Sequence, residues 1–211
     1  MRNAGFQLWE PEAGTAEPGI WVVTATVDDQ EFPIAVDLIV PEGASTGAGR
    51  RGARLGPHGG RAARRVTGLE VALVDHSTMT IASLEADDAR SFEVEVASAV
   101  ALLVAKAHKL RDRIDHARPG RLDDKDAADV YRLMQTTSPA VVGRRLAALR
   151  SHPVAGSAVD AAVSYLADLF TRRGDGTQMA VRALRVALPE AQVVAVVTSY
   201  VERLVTAFSD P

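Results

Sequence analysis

The stretch Ser91–Ile114 reads SFEVEVASAVALLVAKAHKLRDRI, and its period changes halfway along. Phe92, Val94 and Val96 alternate with Glu93 and Glu95, the two-residue period of a half-buried strand. From Ala97 onward Val100, Leu103, Val104, Ala107, Leu110 and Ile114 recur at i, i+3, i+4 and i+7. That is the period of a helix with one apolar face, on which Arg111 is the polar exception.

The rest of the chain sorts to either side of this switch. Upstream, IWVVTATV (Ile20–Val27) and FPIAVDLIV (Phe32–Val40) are rich in β-branched residues, and the DDQE between them reads as a turn, which predicts an antiparallel hairpin. GLEVALVD (Gly68–Asp75) and TMTIASL (Thr78–Leu84) read as further strands. Downstream, helices are predicted over Pro139–Arg150, Ala158–Thr171, Gln178–Leu188 and Pro189–Phe208, with HPVAGS and RRGDGT as stops. ARPGR (Ala117–Arg121) should end the helix that starts near Ala97, and Asp123 or Asp124 should cap the next one. Strands first and helices second is α+β: a small mixed or antiparallel sheet, residues 1–98, followed by a helical lobe, 99–211.

With 211 residues, 47% of them hydrophobic, the chain can bury a real core. A net charge of -3 argues against a generally basic nucleic-acid coat. The absence of cysteine excludes disulfides and thiolate metal sites and fits a reducing cytoplasm. MRNAGFQLWEPEAG, at the N-terminus, lacks the apolar core of a signal peptide. The longest uncharged apolar run, Val96–Ala105, is about half of what a bilayer span needs, so no membrane partner is expected. Gly43–Arg65 holds seven glycines and six arginines without an acid. It reads as a mobile basic loop, either a solvated insertion or a cationic arm for phosphate or RNA.

The charges after the switch are ordered. Lys106 and Arg113 lie seven residues apart and share a helix face, with Lys109 and Leu110 between them. In RLDDKDAADVYRL (Arg121–Leu133), Asp126 and Asp129 stand at i, i+3 beside an apolar side of Ala127, Val130, Leu133 and Met134. A short linker predicts that the two helices pack antiparallel, which brings Lys106 toward both aspartates. The spacing admits two readings. One is a set of interhelical salt bridges, worth about 0–1 kcal/mol each at a surface. The other is a phosphate site in which Lys106 meets a nucleotide and Asp126 orients it. Asp37 is similarly open: it interrupts an apolar strand, either facing solvent or serving as a Mg²⁺ ligand. The five histidines are scattered without zinc-ligand spacing, GPHGGR lacks P-loop context, and the aromatics do not interleave with basic residues.

Taken together, NAGF (Asn3–Phe6), VDLIVP (Val36–Pro41), GLEVALVDH (Gly68–His76), and ALLVAKAHKLRDR followed by RLDDKDAADVYRL resemble one family. It is the AbiEii/AbiGii-type nucleotidyltransferases of the DNA polymerase β-like superfamily, which include the MenT toxins. The resemblance covers most of the chain up to about Leu133. Its most specific part is a helical lysine, an arginine one heptad on, and then K-D-x-x-D-x-Y-x-L.

The resemblance implies Lys106, Asp126 and Asp129 as the catalytic group, Lys106 and Arg113 as nucleotide contacts, and Asp37 as a ligand of Mg²⁺. It implies transfer of a nucleoside monophosphate from a nucleoside triphosphate to an acceptor hydroxyl, which is tRNA in the toxin members, and an antitoxin protein as partner. The family pattern also opens with a glycine–serine turn and a D-x-D pair that holds the metal. Here the only D-x-D is Asp124-Lys125-Asp126, in the helix region. The sequence as it stands is therefore expected to be inactive, either as a fragment of an enzyme or as a relative that binds without catalysing. The rival readings are a non-catalytic nucleotide- or RNA-binding or interaction module, and a soluble α+β domain whose charges only solvate it.

Overall fold

A computed structural model describes residues 1–12, 16–45, 47–48, 51–116 and 124–210. The fold is α+β, and the chain forms two compact units, Met1–Thr67 and Gly68–Pro211.

In the first unit β1 (Gln7–Leu8), β2 (Ile20–Val27) and β3 (Gln30–Asp37) make an antiparallel sheet with β2 in the middle. The hairpin turns on Asp28 and Asp29, both at positive φ (50° and 59°). Two left-handed residues between paired strands form the turn whose twist matches the strands, and aspartate tolerates that conformation. The turn is therefore tighter than DDQE suggested, and Gln30 and Glu31 already belong to β3.

The second sheet runs β4-β7-β6-β5, from β4 (Ile39–Pro41), β5 (Gly47–Ala48), β6 (Gly52–Ala53) and β7 (Arg64–Val66), with β4 parallel to β7. Within Gly43–Arg65 the described residues include β5, β6, the start of β7 and a 3-10 turn at Gly56–His58; residues 46, 49 and 50 lie outside the described set. Ala53, Ala62 and Ala63 are buried, and Trp21 Nε1 donates to the Ala62 carbonyl at 2.8 Å. Acids from outside the segment pair with three of its arginines: Arg61 meets Glu10, Arg64 meets Glu17 and Arg65 lies near Glu42. Gly19, at φ +86°, is required where the two sheets join, because a Cβ there would sit 2.4 Å from the Leu38 carbonyl.

The second unit opens on a turn where a strand was expected. Glu70–Leu73 is a 3-10 turn, not a strand. Gly68 sits at φ +84°, its N–H bonded to the Glu70 carboxylate at 2.8 Å, and Val71 is fully buried in the helical core. An apolar run of four to eight residues fits either state by pattern alone, and here the tight glycine turn decides it.

Then come β8 (His76–Ala82) and β9 (Ser91–Ala97), an antiparallel ribbon. Six helices follow among the described residues: α1 (Ala99–Asp115), α2 (Lys125–Thr136), α3 (Pro139–Leu149), α4 (Gly156–Leu169), α5 (Asp175–Leu184) and α6 (Glu190–Ser209). Their apolar faces make one continuous core around Leu103, Val104, Leu110, Val130, Leu146, Leu166, Phe170 and Leu204.

Among the described residues α6 is the one helix long and apolar enough to cross a bilayer. Its Val193, Val197, Tyr200, Val201, Leu204 and Phe208 are buried in the core instead. It runs close to α3: a Cβ on Gly143 would stand 2.5 Å from the Leu204 carbonyl.

Candidate functional site

The α1 helix starts at Ser98, whose hydroxyl oxygen accepts the Ala101 N–H at 3.1 Å and whose O–H donates to Asp75. Asp75 is nearly buried and also takes the Arg145 guanidinium at 2.9 and 3.1 Å, so α1, α3 and the turn before β8 meet in one polar knot. From that anchored start the predicted stripe holds: Leu103, Val104, Ala107 and Leu110 are buried. The adjacent face carries Lys106, Lys109 and Arg113 toward α2.

Lys106 Nζ donates to Asp126 Oδ1 at 2.8 Å and to Asp129 Oδ2 at 2.7 Å. Lys109 Nζ donates to the same Asp126 Oδ1 at 2.9 Å. Arg113 Nη1 stands 2.6 Å from Asp126 Oδ2, an ion contact without hydrogen-bond alignment; among the described residues that buried oxygen has no hydrogen-bond partner. Arg132, one turn beyond Asp129, donates to its Oδ1 at 2.8 Å. Residues later in α1 thus meet the earlier aspartate of α2, the antiparallel run expected from the short linker.

Burial grades sharply across the cluster. Asp126 is 3% exposed, whereas the side chains of Lys106, Lys109 and Arg113 are 25%, 44% and 27% exposed and that of Arg132 is 64%. The carboxylate forms the floor and the cations form a wall that solvent reaches.

Burial opposes the Lys106 charge, but hydrogen bonds and fields from Asp126 and Asp129 outweigh it and raise its pKa above the ordinary lysine value. Burial likewise opposes the charge on Asp126, yet Lys106 and Lys109 hold its pKa below the usual carboxylate range. The same balance, with Lys106 and Arg132, lowers Asp129. Near neutrality Lys106 is a fixed cation rather than a proton acceptor, and neither aspartate is poised as a general base. The cluster's chemistry is electrostatic: among the described residues, four cations meet two carboxylates, and the cations reach water.

The structure brings Lys106, Arg113, Asp126 and Asp129 together within the unit Gly68–Pro211, while Asp37 belongs to the unit Met1–Thr67. Asp37 ends β3, is exposed, and has Arg64 Nη2 at 3.7 Å. One exposed carboxylate does not by itself build a Mg²⁺ site, and Arg64 is a cation that would compete for it. No group of three or more His, Cys, Asp or Glu side chains with metal-holding geometry occurs among the described residues.

Asp124 stands at the N-cap position of α2, one of the two expected, but does not cap it with its side chain. It has helical dihedrals and no capping bond, and both its oxygens take Arg182 of α5 at 2.8 and 2.9 Å. The alternative cap, Asp123, and the ARPGR break lie outside the described residues. Both carboxylates of the D-x-D are therefore committed to cations.

His108, on the other side of α1, has Nε2 2.9 Å from the Ala158 carbonyl and its ring edge-on to Tyr165. Sequence reasoning passed over Lys109 and Arg132 as site residues. Their signal was present in the spacing: Lys109 falls three residues after Lys106, and Arg132 three after Asp129, each on the same face.

Comparison with family models, with curated proteins and with solved structures finds no match to this chain.

Proposed function

We propose that this is a nucleotidyltransferase-like protein whose α1–α2 cluster holds the polyphosphate of a nucleoside triphosphate. The observation that carries the reading is the convergence of Lys106, Lys109 and Arg113, from one helix, on the single buried carboxylate of Asp126. One cation would balance that carboxylate. Three partly exposed ones make a preorganised anion surface.

In this reading Lys106 and Arg113 contact the phosphates, and Asp126 and Asp129 keep Lys106 charged and aimed. The transfer joins the acceptor hydroxyl oxygen to the α-phosphorus and breaks the α–β bridge, so that pyrophosphate leaves and the hydroxyl proton passes to solvent. That step belongs to the proposal on condition that a metal-holding carboxylate pair completes the site. A tRNA acceptor, an antitoxin partner and a cytoplasmic location rest on the resemblance and on the cysteine-free composition.

A second reading, a nucleotide- or RNA-binding module without catalysis, is favoured by the commitment of Asp124 to Arg182 and of Asp126 to the α1 cations. Titration of the chain with each nucleoside triphosphate and Mg²⁺, beside Lys106→Ala, tests the common core of both. Saturable binding that Lys106→Ala abolishes is the expected result. Pyrophosphate release with labelled tRNA then selects transfer over binding. A folded chain that binds no triphosphate would overturn both.

A further inference from the structure

The structure assigns Lys109 and Arg132, which the recognised motif leaves out, as outer phosphate contacts that set a preference for a triphosphate over a single phosphate group. This inference rests on the polyphosphate reading of the α1–α2 cluster and extends it.

The first observation is crowding. The ammonium groups of Lys106 and Lys109 share one oxygen of Asp126 at 2.8 and 2.9 Å, so they stand within about 6 Å of each other, where like charges repel. Arg113 crowds the other oxygen at 2.6 Å. One cation per carboxylate is enough to clamp α1 to α2, and each further one adds repulsion that offsets part of its attraction to Asp126. An anion above the cluster relieves that repulsion.

The second observation is the order of the charges. Lys106 bridges both aspartates and is the innermost cation. Lys109 lies one turn along α1 on the Asp126 side, and Arg132 lies one turn along α2 on the Asp129 side. At a rise of about 1.5 Å per residue, each flank is displaced by roughly 4–5 Å from the centre. Lys109 and Arg132 are also the two most exposed members, with side chains 44% and 64% accessible. A lone phosphate seated over Lys106 fills only the centre of this row. A chain of three phosphates reaches the flanks.

The test uses inorganic triphosphate and inorganic phosphate as probes, titrated calorimetrically into the whole chain at fixed low ionic strength. Lys109→Ala and Arg132→Ala should each weaken triphosphate binding by about threefold to tenfold, while inorganic phosphate binding changes less than about twofold. Lys109→Arg, which keeps the charge, should stay near the starting affinity. Circular dichroism and urea midpoints establish that the exposed-site variants remain folded.

If Lys106→Ala abolishes triphosphate binding but Lys109→Ala and Arg132→Ala leave it intact, this inference is overturned and the polyphosphate reading stands. An equal loss for both anions overturns the selectivity. Absence of triphosphate binding by the unaltered chain overturns this inference together with the reading beneath it.

Discussion

Replacing Asp126 with asparagine keeps the shape of the cluster floor and removes its charge. The oxygen that remains can still accept from Lys106 and Lys109, now 2.8 and 2.9 Å away, but a neutral acceptor makes such bonds roughly half as strong. The amide nitrogen would replace the oxygen 2.6 Å from Arg113 Nη1 and set donor against donor. Flipping the amide only moves the conflict onto the two lysines. A charge-assisted hydrogen bond contributes about 1.5–3 kcal/mol net, and removing one side of a buried pair costs about 3–5 kcal/mol. The cations here are partly solvated and recover some hydration, which lowers the figure. The expected destabilisation of Asp126→Asn is therefore about 2–4 kcal/mol.

Urea unfolding followed by helical ellipticity reads it directly, because the affected helices carry the core of the second unit. High salt should shrink the loss by screening the three stranded cations. A change below about 0.5 kcal/mol, the range of an ordinary surface pair, would refute the claim that one buried carboxylate organises the cluster.

Two further outcomes follow from the same structure. Asp126 and Asp129 have lowered folded-state pKa values, so their contribution is complete above the unfolded value of about 3.9 and is lost as pH falls through the folded values. Lys106 is raised, so its contribution is complete below about 10.4 and is lost as pH climbs through the folded value. Urea midpoints against pH should show both limbs, and Asp126→Asn should flatten the acid one; an unchanged acid limb would contradict the assignment. Gly143→Ala should destabilise by about 1–3 kcal/mol, although alanine is the better helix former, because its Cβ would meet the Leu204 carbonyl at 2.5 Å and the Ala207 methyl at 2.9 Å. A stabilised variant would show that α3 and α6 are not in backbone contact.

The helical half was legible because its period is repeated over many residues. The α1 stripe of Leu103, Val104, Ala107 and Leu110 is buried as read, and the α6 prediction of Pro189–Phe208 lies within a residue of Glu190–Ser209 at each end. The Ile20–Val27 strand was also placed correctly, since β-branched residues and a turn bracket it. GLEVALVD failed because five apolar residues in eight fit a strand and a buried turn equally well. The ion pairs of Arg61 and Arg64 were not legible, because their acids, Glu10 and Glu17, come from elsewhere in the sequence.

In the site, the spacing gave the Lys106–Asp126–Asp129 meeting, since two amphipathic helices on a short linker have few ways to pack. It did not give the three-to-one ratio at Asp126. Whether Lys109 turns to solvent or to a shared oxygen depends on the helix pairing, which spacing alone leaves open.

The burial of Asp126 also makes the cationic wall conditional. With α1 and α2 undocked, Lys106, Lys109 and Arg113 are ordinary solvated side chains spread by their own repulsion. Docking alone fixes them in a row. If the proposed polyphosphate site holds, its ligand would recognise only the folded chain and by mass action would add about 2.7 kcal/mol of stability at a hundred times its dissociation constant. The cell's nucleotide pool would then act as a folding ligand, and a chain short of nucleotide would be the one most open to proteolysis.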